Sequence, residues 1–455
     1  MIRNQHSIDM CNGSIFPKMM QMAWPMVLSS LLSMSFSAAD MIVVGNFGSE
    51  HAMAAVGSTG SIVSLLVNLF YGLSIGTGVL CARYIGAQDE KNVSETVHTS
   101  VVLSLISGVL LMVVGLCFSE QFLIWMNTPP EVLGPATVYL RIYFVTLIPA
   151  KVGAFTSTIL NAQGDTKRPA YFGIIAGVVN VVLNLVFVIV LKLDVAGVAI
   201  ATFISSTLSA GLTVRCLLRT EGCCRLYIRK LHLNKRITWE LLRIGIPASL
   251  QNMAFALSNV VIQSSINSFG PIVMAGNAAA VKVEEFINIG LGTFTSSGST
   301  FVSQNFGAKK YTRVDRSLRI ACCCTVVCSV LICSLVLAFA KPLIGLFDPR
   351  PEILEPSLTR LWTICGFYAL CGLMSCLSGA IRGLGHSALP SIVTVAGVCG
   401  FRLLWIFTVF QVPQYHTLQM LYLSYGSSWI ITLAAHAISY VCVRRKLPRS
   451  DVGEE

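Results

Sequence analysis

Asp40 lies inside an apolar run from Ile15 to about Gly45, where it is neither a helix cap nor a linker charge. An aspartate deep in hydrocarbon costs roughly 3 kcal/mol or more unless it finds partners. The sequence offers three. Asn180 and Asn184 are four residues apart and share a helix face. Thr202 stands early in the next apolar segment. At about 1.5 Å per helical residue across a core of roughly 30 Å, Asp40 falls roughly 7 Å below the outer surface. The same arithmetic puts Asn180 and Asn184 at roughly 14 and 8 Å, and Thr202 at roughly 10 Å. One carboxylate, two amides and a hydroxyl are hard oxygen ligands, suited to small hard cations rather than to soft metals. The plainer alternative is a carboxylate that merely ties two helices together.

A second charged set stands later in the chain. Lys282, Glu284 and Glu285 fall near the predicted level of Arg402, and the four are expected to form an internally neutralised network. The alternative is a residual anionic surface for a cationic substrate. Lys151 is expected to snorkel toward the cytoplasm, with a gating role as its alternative. The seven histidines show no ligand spacing, and neither a Ser-His-Asp set nor H-E-x-x-H occurs. An enzyme is therefore not expected, nor a resident cofactor. Most of the 16 cysteines fall in apolar stretches, where Cys acts as a small apolar residue.

Membrane-spanning helices must position these groups. Of 455 residues, 54% are hydrophobic and only 12% charged, and the mean hydropathy is +0.72. Soluble chains carry roughly a quarter charged residues. Apolar stretches long enough to cross a bilayer are predicted near 17–44, 52–80, 96–118, 136–160, 169–191, 195–216, 242–268, 275–302, 318–340, 356–381, 388–411 and 418–443. The first is too long for a cleavable signal and reads as a genuine span. The net charge of +11 is not a nucleic-acid footprint, because Lys and Arg gather in alternate loops. That bias puts both termini and the loop near 217–240 in the cytoplasm.

The chain also repeats itself. Pro25 recurs as Pro247 and Phe47-Gly48 as Phe269-Gly270, both at an offset of 222. Gly86-Ala87 recurs as Gly307-Ala308, and Pro169 as Pro390, at 221. The expected architecture is all-α: twelve transmembrane helices in two six-helix bundles, related by a pseudo-two-fold axis along the membrane normal. The lobes are 1–220 and 241–455, joined by a basic cytoplasmic linker at 221–240. Pro25 and Pro247 are candidate hinges. Gly72, Gly76, Gly78, Gly290 and Gly292 are read mainly as packing residues.

A first span with proline, then aspartate, then a small-residue exit (P25…AAD…VGNFG) resembles the multidrug and toxic compound extrusion (MATE) family. So do the Gly-Ala exits of spans two and eight and the GDTKRP turn after span four. The resemblance covers essentially the whole chain. It implies a secondary transporter exchanging Na+ or H+ for organic, mostly cationic, compounds. It also implies a first-lobe cation site at Asp40, Asn180, Asn184 and Thr202, with a backbone carbonyl near Val198. Positions that hold acids in NorM-type members are here Phe255 and about Cys371. The chain thus sits nearer the DinF-like side, with no second-lobe coupling site of that type. The expected partners are small-molecule substrates and membrane lipid, without nucleic acid, for a monomer in the bacterial plasma (inner) membrane. One rival is a lipid-linked precursor flippase, which needs a cationic cavity; only Lys151 and Arg402 are candidates for it.

Overall fold

The computed structural model describes residues 7–47, 52–126, 128–448, 450 and 451. Gly48 of the repeated Phe-Gly pair lies outside them. In hydrocarbon every backbone N–H must be satisfied within its own segment, and the described chain is accordingly helical. In the first half run α1 (Ile15–Phe47), α2 (Ala52–Gly86), α3 (Glu90–Trp125), α4 (Pro130–Ala162), α5 (Lys167–Asn184) and α6 (Asp194–Arg219). A π-helical turn, Leu185–Val190, continues α5. The second half has α7 (Lys235–Asn267), α8 (Pro271–Gly307), α9 (Tyr311–Ala338) and the short α10 (Ala340–Phe347). Then come α11 (Leu354–Cys365), α12 (Tyr368–Gly383), α13 (Ala388–Thr394), α14 (Phe401–Phe407) and α15 (Leu418–Arg445). A second π-helical turn, Val395–Gly400, joins α13 to α14.

Among the described residues nine helices are long and apolar enough to cross a membrane alone, and α11 with α12 makes a tenth span bent by 48°. The less apolar α7 and α8, at 33 and 37 residues, complete twelve. Neither the bend nor the π turns was expected from the sequence. Local chemistry sets several ends. Asp89 caps α3 by accepting from Asn92 N at 3.1 Å, which holds its carboxyl below the usual range. Pro130 and Pro271 each begin a helix, where a missing N–H costs nothing.

Contacts divide the chain into two compact units, residues 7–9 with 24–245, and residues 10–23 with 246–451. The divisions fall within two residues of Pro25 and Pro247, so α1 and α7 each pass from one unit to the other beside a proline. In the first unit Leu111, Leu140 and Phe144 centre an apolar cluster. A Cβ at Gly115 would lie 1.8 Å from the Phe144 ring. Residues 221–240 are fastened to α3: Tyr227 N donates to His98 Nε2 at 3.1 Å and Asn234 Nδ2 to Glu95 at 3.0 Å. In the second unit Ile287, Leu361, Tyr422 and Trp429 belong to the largest cluster. There Arg313 grips the start of the chain, donating to the carbonyls of Met10, Asn12 and Gly13 at 3.1, 3.0 and 2.8 Å.

Candidate functional site

Asp40 lies near the end of α1, opposite the last turn of α5. Asn184 Nδ2 donates to Asp40 Oδ1. With its amide turned so that nitrogen faces the carboxylate, Asn180 donates to Oδ1 at 2.9 Å and to Oδ2 at 3.2 Å. Both amides are buried, Asn184 completely. Asn184 Oδ1 has no hydrogen-bond partner although it is buried. An unmet buried acceptor costs about 1–3 kcal/mol, and a small cation would satisfy it. The π turn begins at the very next residue, Leu185, and such turns concentrate at functional sites.

Glycines bring α1 and α5 together. A Cβ at Gly173 would sit 3.3 Å from Ser29 Oγ, and one at Gly177 would lie 1.9 Å from the Phe36 ring. Phe36 thus fills the seam between Asp40 and a cavity of about 410 Å³ lined by Ser29, Ser30, Asn161, Gly173 and Ser206. The lining mixes these polar side chains with Met26, Pro149, Ala150 and Pro169, and it is uncharged. Gly76 and Gly290 also serve packing: a Cβ there would meet Leu241 O and Ile332 Cδ1, respectively, within 3 Å.

Thr202 is placed differently from the expected ligand set. Its hydroxyl donates to Val198 O of its own helix at 2.9 Å, so that carbonyl is already engaged. A lone pair on the Thr202 oxygen stays available, but no hydrogen bond joins it to Asp40 among the described residues. Lys151 does not snorkel. It is 5% exposed and its Nζ donates to Val67 O at 3.1 Å, on α2. Tyr139, which sequence reasoning missed, stacks on Tyr143 with ring centroids 6.1 Å apart on α4.

The expected second-lobe network is not one network. Glu284 and Glu285 are adjacent, so they point about 100° apart around α8. Glu285 pairs with Lys282 at 2.9 Å in an exposed contact. Glu284 turns inward to Arg360, which sequence reasoning also missed. Arg360 Nε and Nη2 donate to its two oxygens at 2.7 and 2.8 Å, and Tyr368 Oη donates at 2.9 Å. Arg360 Nη1 reaches Asn277 Oδ1 at 2.9 Å. Arg402 stands outside this pair: Nε donates to Ser428 Oγ at 3.1 Å, and the guanidinium lies 4.0 Å over the Tyr425 ring.

The MatE family model matches twice, over residues 25–186 and 247–408. Each match starts at a repeated proline. The probable multidrug resistance protein YoeA of Bacillus subtilis is 25% identical over 94% of this chain and 93% of its own. The multidrug export protein MepA of Staphylococcus saprophyticus is 22% identical over 84% and 85%. Among solved structures, an outward-facing multidrug resistance MATE family transporter superposes with a TM-score of 0.88, at 19% identity and 98% coverage of both chains. The Vibrio cholerae MATE transporter VcmN gives 0.87 at 22% identity, covering 94% and 97%.

Proposed function

Because the chain belongs to the MatE family of membrane transporters, we propose that it is a cation-coupled antiporter that exports amphipathic small molecules. Na+ or H+ enters through Asp40 and drives the outward movement of substrate. The observation that carries this reading is the Asp40 carboxylate bracketed by two buried amides, one with an unmet oxygen. A single carboxylate among neutral oxygens suits one monovalent cation. At about 100 mV one coupled charge is worth about 2.3 kcal/mol, or roughly fiftyfold accumulation. The family resemblance extends the substrates to organic cations.

Asp40→Asn keeps shape and hydrogen bonding but cannot exchange an ion. In reconstituted vesicles with imposed pH or Na+ gradients, its export should lose all dependence on either gradient. Gradient-driven export that persists in this variant returns Asp40 to a structural role. The plasma membrane is the proposed location, with both termini in the cytoplasm, supported by the basic loops. Cys223 tests that orientation, since hydrogen bonding from Cys224 pulls its thiol down to about 7 and makes it reactive. An impermeant maleimide applied to intact cells should leave Cys223 unlabelled and should label it once the cells are opened. Strong labelling in intact cells reverses the topology.

A further inference from the structure

Among the described residues of the second unit, the buried charged side chains are Glu284, Arg360 and Arg402, while Arg382 is partly buried and donates to Gln251 and Ser378. Glu284 is committed to Arg360 through both oxygens. Arg402 is 2% exposed, and no carboxylate lies within 4.0 Å of it among the described residues. Its Nε is bonded to Ser428, yet a guanidinium carries five N–H donors, and its two Nη groups donate to no other described residue.

The aromatic faces around it are already taken. Arg402 lies 4.0 Å over Tyr425 and 5.7 Å over Trp429, while Arg360 lies 5.3 Å over both Tyr425 and Tyr422. Aromatic faces are what would recognise an organic cation. Here the protein's own cations cover them, so a cationic ligand would meet repulsion instead. A buried fork with free Nη groups matches a planar or tetrahedral anion bidentately. The apolar flank is at hand, because Phe401 and Trp405 on α14 stand 5.8 Å apart, one on each side of Arg402 in sequence. Arg402 also rides on a seven-residue helix bounded by the π turn Val395–Gly400 and by the break at Thr408.

We infer that Arg402 is a recognition point for the acidic group, carboxylate, sulfonate or phosphate, of an amphipathic molecule. The inference rests on the reading of the chain as an exporter of amphipathic molecules and adds acid-bearing compounds to its substrates. It does not depend on the coupling role of Asp40.

The test uses the full chain in phosphatidylcholine nanodiscs, without any ion gradient. Two probes share one naphthalene ring system, one bearing a sulfonate and the other a trimethylammonium group. The wild type should bind the sulfonate at least tenfold tighter. Arg402→Gln should abolish that preference while leaving the ammonium probe as it was. Arg402→Lys keeps the charge but loses the fork, and should weaken sulfonate binding severalfold; it decides the matter if the glutamine variant does not fold. Equal binding of the two probes by the wild type overturns the inference. So does an unchanged preference in Arg402→Gln, or unchanged sulfonate binding in Arg402→Lys. Phosphatidylglycerol that displaces the sulfonate identifies a lipid headgroup as the source of the acidic group, and failure to displace it identifies a free amphiphile. A negative result here leaves the Asp40 gradient test intact, and a failure of that test leaves this binding result readable.

Discussion

The two halves repeat in sequence but differ at the positions that carry chemistry. At the repeat offsets, Asp40 corresponds to Ile262, Asn180 to Phe401 and Asn184 to Trp405. A carboxylate between two amides on one side answers a buried isoleucine and a tilted aromatic pair on the other. The second half places its charges elsewhere: Glu284 on α8 and Arg360 on α11 form a closed pair, and Arg402 stands apart. Duplication preserved the spans and the repeated prolines, but not the glycines of the α1–α5 seam: Gly173 and Gly177 correspond to Thr394 and Val398. The charged interiors diverged, one toward a carboxylate held between two amides and the other toward a fixed internal pair.

Stability measurements can break that contrast most directly. Removing one partner of a buried ion pair costs about 3–5 kcal/mol, because the other is left uncompensated. Glu284→Ala should therefore lower the melting temperature sharply, and Glu284→Leu combined with Arg360→Met should recover most of the loss. Asp40→Ala should shift it far less, since only neutral amides are left behind. Equal losses in the two halves would erase the distinction between a structural pair and an ion site.

Asn184→Ala gives an intermediate effect. A hydrogen bond to a charged group is worth about 1.5–3 kcal/mol, so ion affinity should fall roughly tenfold to a hundredfold. Trp405→Ala, at the equivalent position, should leave the ion dependence of export unchanged. Identical ion titrations for wild type and Asn184→Ala would remove the amide from the site. Pro25→Ala is the mildest. It restores a helical hydrogen bond where α1 passes between units, and should slow turnover roughly threefold, under 1 kcal/mol of barrier. Unchanged turnover at normal expression would make Pro25 a packing residue only.

The sequence made the first half legible because its site is locally encoded. Asn180 and Asn184 share a face by spacing alone, and counting residues from the span ends brings Asp40 to their depth. Thr202 shared that depth, but depth does not decide whether a hydroxyl turns to a neighbour or back to its own helix. The second half resisted for a related reason. Lys282, Glu284 and Glu285 look like one cluster in a line of text, yet adjacent helical residues diverge. Glu284 instead meets Arg360, 76 residues away, and no periodicity signals a pair so far apart. The π turns were illegible because Leu185–Val190 and Val395–Gly400 read as ordinary apolar helix.

The path of α1 has a consequence for how the molecule is made. Residues 10–23 leave the ribosome before all the rest of the second unit, to which they belong. Met10 O must wait for Asn305 Nδ2, 295 residues later, and Gly13 O for Arg313, 300 residues later. The first unit is likewise incomplete until the opening turns of α7 have been synthesised. Neither half can be finished before the other has begun, so the two mature together during translation. A chain severed in the linker would leave the second fragment without its opening segment.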